Sequence, residues 1–189
     1  MSDPKDSVPA PGDNGEPVSP NSLSLAVLSM YRSSYSVRRI LEEGRARGHR
    51  IRAFDPTAFS ILVEQDQPRL FYRGKPAPQI DGVIPRIGAS ITHFGTTVVR
   101  QFEQMGVFCI NTSHAINSSR DKLHAMQVLS RHRIGMPRTA FVTDRLAVKP
   151  AIDHVGGAPV VLKLLEATQG IGVILADHAK TAEAIVEAL

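Results

Sequence analysis

Cysteine is nearly absent: Cys109 is the single thiol in 189 residues. One thiol excludes an intramolecular disulfide framework and any multi-cysteine zinc site. No apolar run approaches the roughly 20 residues needed to span a bilayer. The N-terminus has no basic patch followed by an apolar stretch, so it does not read as a secretory signal. These absences point to a cytoplasmic chain with no membrane partner. The seven histidines are scattered without an H-E-x-x-H pair, which argues against a histidine-based metal site. There is no Walker A ending, no G-x-G-x-x-G fingerprint and no nucleophile elbow. Internal repeats are also lacking.

What is present is a globular body, with 42% hydrophobic residues. Charge is uneven. The chain carries 22 Lys plus Arg against 18 Asp plus Glu, a formal +4. Residues 1–20 hold Asp3, Asp6, Asp13 and Glu16 against Lys5, a net of −3, which leaves +7 for the rest. Such a body suits anionic partners: phosphates, carboxylates or nucleic acid. The basic residues alternate with acids and no nucleic-acid motif is present, which argues against direct nucleic-acid binding. Residues 1–20 contain five of the 13 prolines and few bulky apolar side chains, and they read as a disordered tail.

From Leu23 the pattern alternates. Strands are predicted at Leu23–Met30, His49–Phe54, Gly82–Pro85 and Val107–Ile110. A helix is predicted from about Ser36 to Arg47, stopped by Gly48. Ile61–Val63 and Leu70–Tyr72 suggest a hairpin. A second helix is expected over Ser90–Met105, with Ser90 as its cap and Ile91, Phe94, Val98, Phe102 and Met105 as its buried stripe. This reads as an α/β domain over 21–111. A second unit, 112–189, opens with a helix capped by Ser118 and ended by Gly135-Met136-Pro137. Its apolar face is Leu123, Met126 and Leu129. A strand at Thr139–Thr143 and a short helix from Pro150 to Gly156-Gly157 follow. Pro159–Leu165 and Gly172–Ala176 form a hairpin, and a last helix starts near Thr181. The chain stops at Leu189 without a cap signal, which suggests an incomplete domain.

The hairpin tip carries the most chemistry. Gly170 and Gly172 follow Thr168-Gln169, so the backbone can approach a ligand and offer consecutive N–H groups to an anion. An ordinary hairpin turn is the alternative. Lys163 interrupts an apolar strand, either to meet a phosphate or to reach water from an edge. Arg120 and Lys122 are placed in the first turn of one helix, where the dipole disfavours cations unless an anion binds. Arg86 follows the strand Gly82–Pro85, and Ser29, Tyr35 and Ser36 follow the first strand. Both groups lie at the sheet edge where open α/β proteins bind ligands.

Several motifs together resemble the RimK family of ATP-grasp ligases: Asp81-Gly82-Val83-Ile84-Pro85-Arg86-Ile87-Gly88, Arg100-Gln101-Phe102-Glu103, Ser119-Arg120-Asp121-Lys122-Leu123, Gly156-Gly157-Ala158-Pro159-Val160-Val161-Leu162-Lys163 and Glu166-Ala167-Thr168-Gln169-Gly170-Ile171-Gly172-Val173. The resemblance runs from about Leu23 to Leu189. It implies an α/β pre-ATP-grasp domain with a parallel sheet, then the first, small α+β lobe of an ATP-grasp domain, incomplete at the C-terminus. The implied activity adds glutamate to the C-terminus of a small-subunit ribosomal protein through an acyl phosphate, with ATP and Mg2+ or Mn2+. The resemblance places Lys122, Lys163, Glu166, Thr168, Gln169, Gly170 and Gly172 at the nucleotide. Arg86, Ser29 and Tyr35 fall on the substrate side. Metal ligands are expected in a C-terminal part that this sequence does not contain, so the chain alone is expected to be inactive. Two departures stand out: Met30 replaces an Arg usual after Ser29, and Ala167 replaces a usual Gly. A truncated, non-catalytic binding module and a ligase for a different carboxylate remain alternative readings. The oligomeric state, a homo-oligomer included, is left open.

Overall fold

A computed structural model describes residues 21–164 and 172–188. The expected tail at 1–20 lies outside the described residues. The chain is α/β. Strands β1 (Ser24–Leu28), β2 (Arg50–Phe54), β6 (Gly82–Pro85) and β7 (Phe108–Cys109) form one parallel sheet in the order β2-β1-β6-β7. Between β2 and β6, β3 (Phe59–Leu62), β4 (Arg69–Tyr72) and β5 (Lys75–Pro76) make a small antiparallel sheet. The predicted hairpin around Glu64–Arg69 is its first half. The turn from β4 to β5 is Arg73-Gly74, with both residues at positive φ (51° and 76°), the geometry that matches strand twist in a two-residue hairpin.

Each face of the parallel sheet is covered by one helix. Helix α1 (Tyr35–Ala46) buries Val37 against Val27 and Ile51. It ends at Gly48, whose φ of +79° suits glycine. Helix α2 (Thr92–Gln104) packs on the other face, where Ala26, Leu28, Val83 and Cys109 meet Val98, Val99 and Phe102. Ser90 does not cap it. Ser90 lies in a 3-10 turn over Ala89–Ile91, and Ile91 is the residue before the helix. The buried stripe also differs from the expected one. Gly95, Thr96, Val98, Val99, Gln101 and Phe102 are buried, whereas Phe94 and Met105 are 43% and 39% exposed. Val98 and Phe102 of the expected stripe are in the core with Ile91 packed against it, Gly95 sits against Ile87, and Phe94 and Met105 reach solvent.

In the second half, the single helix expected from Ser118 is two. Helix α3 (Ser113–Arg120) is capped by Thr112, and α4 (Lys122–Arg131) by Asp121, whose carboxylate accepts from the His124 N–H at 2.9 Å. Ser118 lies inside α3. Asp121 takes the cap because its backbone is extended (φ −80°, ψ 108°), whereas Ser118 is helical. Helix α4 stops at Arg131, ahead of Gly135, and Leu123, Met126 and Leu129 are only half-buried. Among the described residues no strand forms at Thr139–Thr143. Pro150 is the third residue of α5 (Val148–Val155) rather than the first. Strands β8 (Val160–Lys163) and β9 (Val173–Ala176) pair antiparallel as expected, and α6 runs over Ala179–Ala188. Val160 and Ala176 pack with Val148, Ile152 and Ala182 into a separate small core. No helix of the described residues is long and apolar enough to cross a membrane.

Candidate functional site

The carboxyl edge of the parallel sheet gathers Ser29, Tyr35 and Arg86. All three follow from strand direction, because β1 and β6 are parallel neighbours and end side by side. Ser29 is buried; its N–H donates to the Phe54 carbonyl at 2.9 Å and its Oγ accepts from the Tyr31 N–H at 3.2 Å. Tyr35 opens α1 and is exposed. Arg86 donates its backbone N–H to Leu28 at 2.8 Å. Its exposed guanidinium lies 3.4 Å from the Ser36 Oγ, over the first turn of α1. That turn contains no acid, and Ser34 makes no side-chain cap bond. A helix N-terminus faced by an arginine is a favourable place for a carboxylate or phosphate.

Behind Arg86 the chain is held tightly. Ile87 is buried, and a Cβ at Gly95 would lie 2.6 Å from its Cγ2. Glycine at 95 lets α2 come close enough to fix the turn that carries Arg86. Arg120 contributes to the same turn: its guanidinium donates to the Ile87 carbonyl at 2.7 Å. The expectation for Arg120 is thereby corrected. It is the last residue of α3, where the helix dipole favours a cation, not a first-turn cation awaiting an anion. Lys122 does occupy a first turn, as the first residue of α4.

Lys163 stands on β8 opposite Val173 of β9. It shares the outward face of the hairpin with Val161, Val173 and Leu175, which are 54%, 47% and 62% exposed. An ammonium framed by three exposed aliphatic side chains suits a ligand with a flat apolar part and an anionic part. The sequence reading singled out Lys163 but missed these three. The signal was there: period-two alternation puts Val161 with Lys163, and antiparallel register puts Leu175 and Val173 across from them. Gly172 closes the hairpin with φ +71°, and its carbonyl accepts from the Leu164 N–H at 2.9 Å. Glu166, Thr168, Gln169 and Gly170 lie outside the described residues. Among the described residues no group of three His, Cys, Asp or Glu side chains gathers as a cation site.

Cys109 is not part of either locus. Burial, aided by the Glu103 charge, pushes its thiol up to about 11. The folded chain is therefore expected to resist alkylation at pH 8 and to react fully once unfolded in urea, read by mass. Because the folded thiol is the weaker acid, its contribution to stability is complete below the unfolded value near 9. It is lost as pH rises toward 11.

Comparison with known proteins decides the lineage. A family model described as the RimK PreATP-grasp domain matches residues 23–116, and one described as the RimK-like ATP-grasp domain matches residues 119–189. The chain belongs to the RimK family. Among curated relatives, a probable alpha-L-glutamate ligase of Rhodopirellula baltica is 54% identical over 167 residues, covering 88% of this chain and 41% of that protein. One of Psychromonas ingrahamii is 54% identical over 166 residues, covering 88% and 55%. The chain thus spans about half the length of the curated relatives it matches. A RimK domain protein ATP-grasp from Sphaerobacter thermophilus superposes with TM-score 0.64 at 25% identity, over 87% of this chain and 57% of that one. The ATP-grasp ligase PsnB, at 18% identity and TM-score 0.65 over 87% and 59%, shares the fold.

Proposed function

We propose that the gene product carrying this chain is an ATP-dependent carboxylate–amine ligase that joins glutamate to the C-terminus of a small-subunit ribosomal protein. The supporting observation is the hairpin face, with Lys163 framed by Val161, Val173 and Leu175. It occurs in a chain 54% identical to probable alpha-L-glutamate ligases. In this reading the acceptor carboxylate attacks the γ-phosphorus of ATP and ADP leaves. The glutamate amine then attacks the acyl phosphate, phosphate leaves, and an amide remains. Lys122 and Lys163 hold nucleotide phosphates, and Glu166, Thr168, Gln169, Gly170 and Gly172 take part in binding the nucleotide. Arg86, with the N-terminus of α1, holds a carboxylate, while Ser29 and Tyr35 line that side. Mg2+ or Mn2+ would neutralise phosphate charge. Among the described residues no carboxylate cluster gathers to hold it.

The division at 111/112, the inactivity of residues 1–189 on their own and a cytoplasmic setting belong to the same reading. The test is a ligation assay on the gene product, with ATP, glutamate and purified small-subunit ribosomal proteins, read by intact mass. Addition of glutamyl residues that requires ATP supports it. ATP hydrolysis with another carboxylate but not these proteins would change the acceptor. The absence of any ATP-dependent product would favour a non-catalytic binding module.

A further inference from the structure

Helix α3 joins the parallel-sheet domain to α4, and it is tied down at both ends. At its start, the Glu103 carboxylate accepts from the Ser113 N–H at 2.8 Å and from the Ser113 Oγ at 2.6 Å. At its end, Arg120 donates to the Ile87 carbonyl at 2.7 Å across 33 residues of sequence. Ile87 adjoins Arg86, and Lys122 lies two residues beyond Arg120. The two anchors are chemically independent and sit on opposite ends of one rigid eight-residue helix.

We infer that Arg120 is a positioning residue that locks the Arg86 turn to the α3–α4 junction, fixing Arg86 relative to Lys122. The part of this that concerns substrate rests on the ligase reading; the part that concerns the turn does not. Arg120 acts through the Ile87 carbonyl, next to Arg86. Its guanidinium supplies a charge-assisted bond to the Ile87 carbonyl, and its position at the C-terminal end of α3 favours the charge as well. Glu103 holds the other end, so that the Arg120 bond cannot slacken by sliding the helix.

The test has two arms. In the first, amide exchange is followed in the chain itself by mass spectrometry. Arg120→Met is expected to speed exchange across 86–91 about tenfold, the scale of one charged hydrogen bond. The strands β1 and β2 should be unchanged. Arg120→Lys, which keeps one donor, should restore most of the protection. Glu103→Ala should instead free 113–116. Unchanged exchange at 86–91 in Arg120→Met, or an equal rise over the whole domain, would overturn the inference. In the second arm, ligation by the gene product is measured. Arg120→Met is expected to raise the KM for the carboxylate substrate about tenfold while the KM for ATP moves less than about twofold. Equal effects on both KM values would also overturn it. If the unmodified protein ligates nothing, the ligase reading falls, and the exchange arm alone decides the role of Arg120.

Discussion

Replacing Phe102 by alanine is expected to cost about 3–5 kcal/mol, the range for a large aromatic removed from a closed core. Its ring is 1% exposed and meets Phe59 edge-on at a centroid distance of 5.7 Å. Phe59 in turn packs on Tyr72 at 4.9 Å, and Tyr72 on Phe54 at 5.1 Å. Phe102 therefore joins α2 to the β3–β4 hairpin as well as to the parallel sheet. Against a usual domain stability of about 5–15 kcal/mol, the loss leaves little margin. Urea unfolding followed by far-UV circular dichroism checks it. Phe94→Ala on the same helix, 43% exposed, is the control; it should shift stability by no more than about 0.5 kcal/mol. Equal shifts for the two variants would mean that the buried face of α2 is wrongly assigned.

Lys163→Met is expected to weaken binding of ATP to the gene product by about tenfold to a hundredfold, the scale of one charged contact with phosphate. The substitution keeps the length and the aliphatic character of the side chain. It sits on an exposed face, so the circular dichroism spectrum and the unfolding midpoint should stay as they are. Calorimetry measures the affinity. An affinity within about twofold of the parent would assign Lys163 to solvent contact alone.

How far these features could be read from the sequence depends on the range of the interaction. Gly82–Pro85 is legible to the residue because an apolar run is bounded by Asp81 and Arg86 and its neighbours only confirm it. Helix α1 is legible because Gly48 punctuates it. Caps were less so. Ser90 and Ser118 had the right chemistry, but Thr112 and Asp121 won by standing where the backbone turns extended, at ψ 156° and 108°. Thr139–Thr143 has strand composition, yet a strand exists only with a hydrogen-bonding neighbour, and the described residues bring none alongside. At the site, Arg86, Ser29 and Tyr35 could be placed together once the strands were known to be parallel. The bond from Arg120 to Ile87 could not, since nothing local to residue 120 encodes a carbonyl 33 positions away.

The order β2-β1-β6-β7 also sets a schedule for the nascent chain. Strand β1 is synthesised first but occupies an interior position, and its register with β6 pairs Leu25 with Gly82. At about 5–20 residues per second, the ribosome needs roughly 3–11 s to make the intervening stretch. During that interval Ala26 and Leu28, fully enclosed in the finished sheet, have neither β6 beside them nor α2 above them. Of the four strands of this sheet, the one made first thus keeps an unpaired edge and an uncovered apolar face until β6 and α2 have been made.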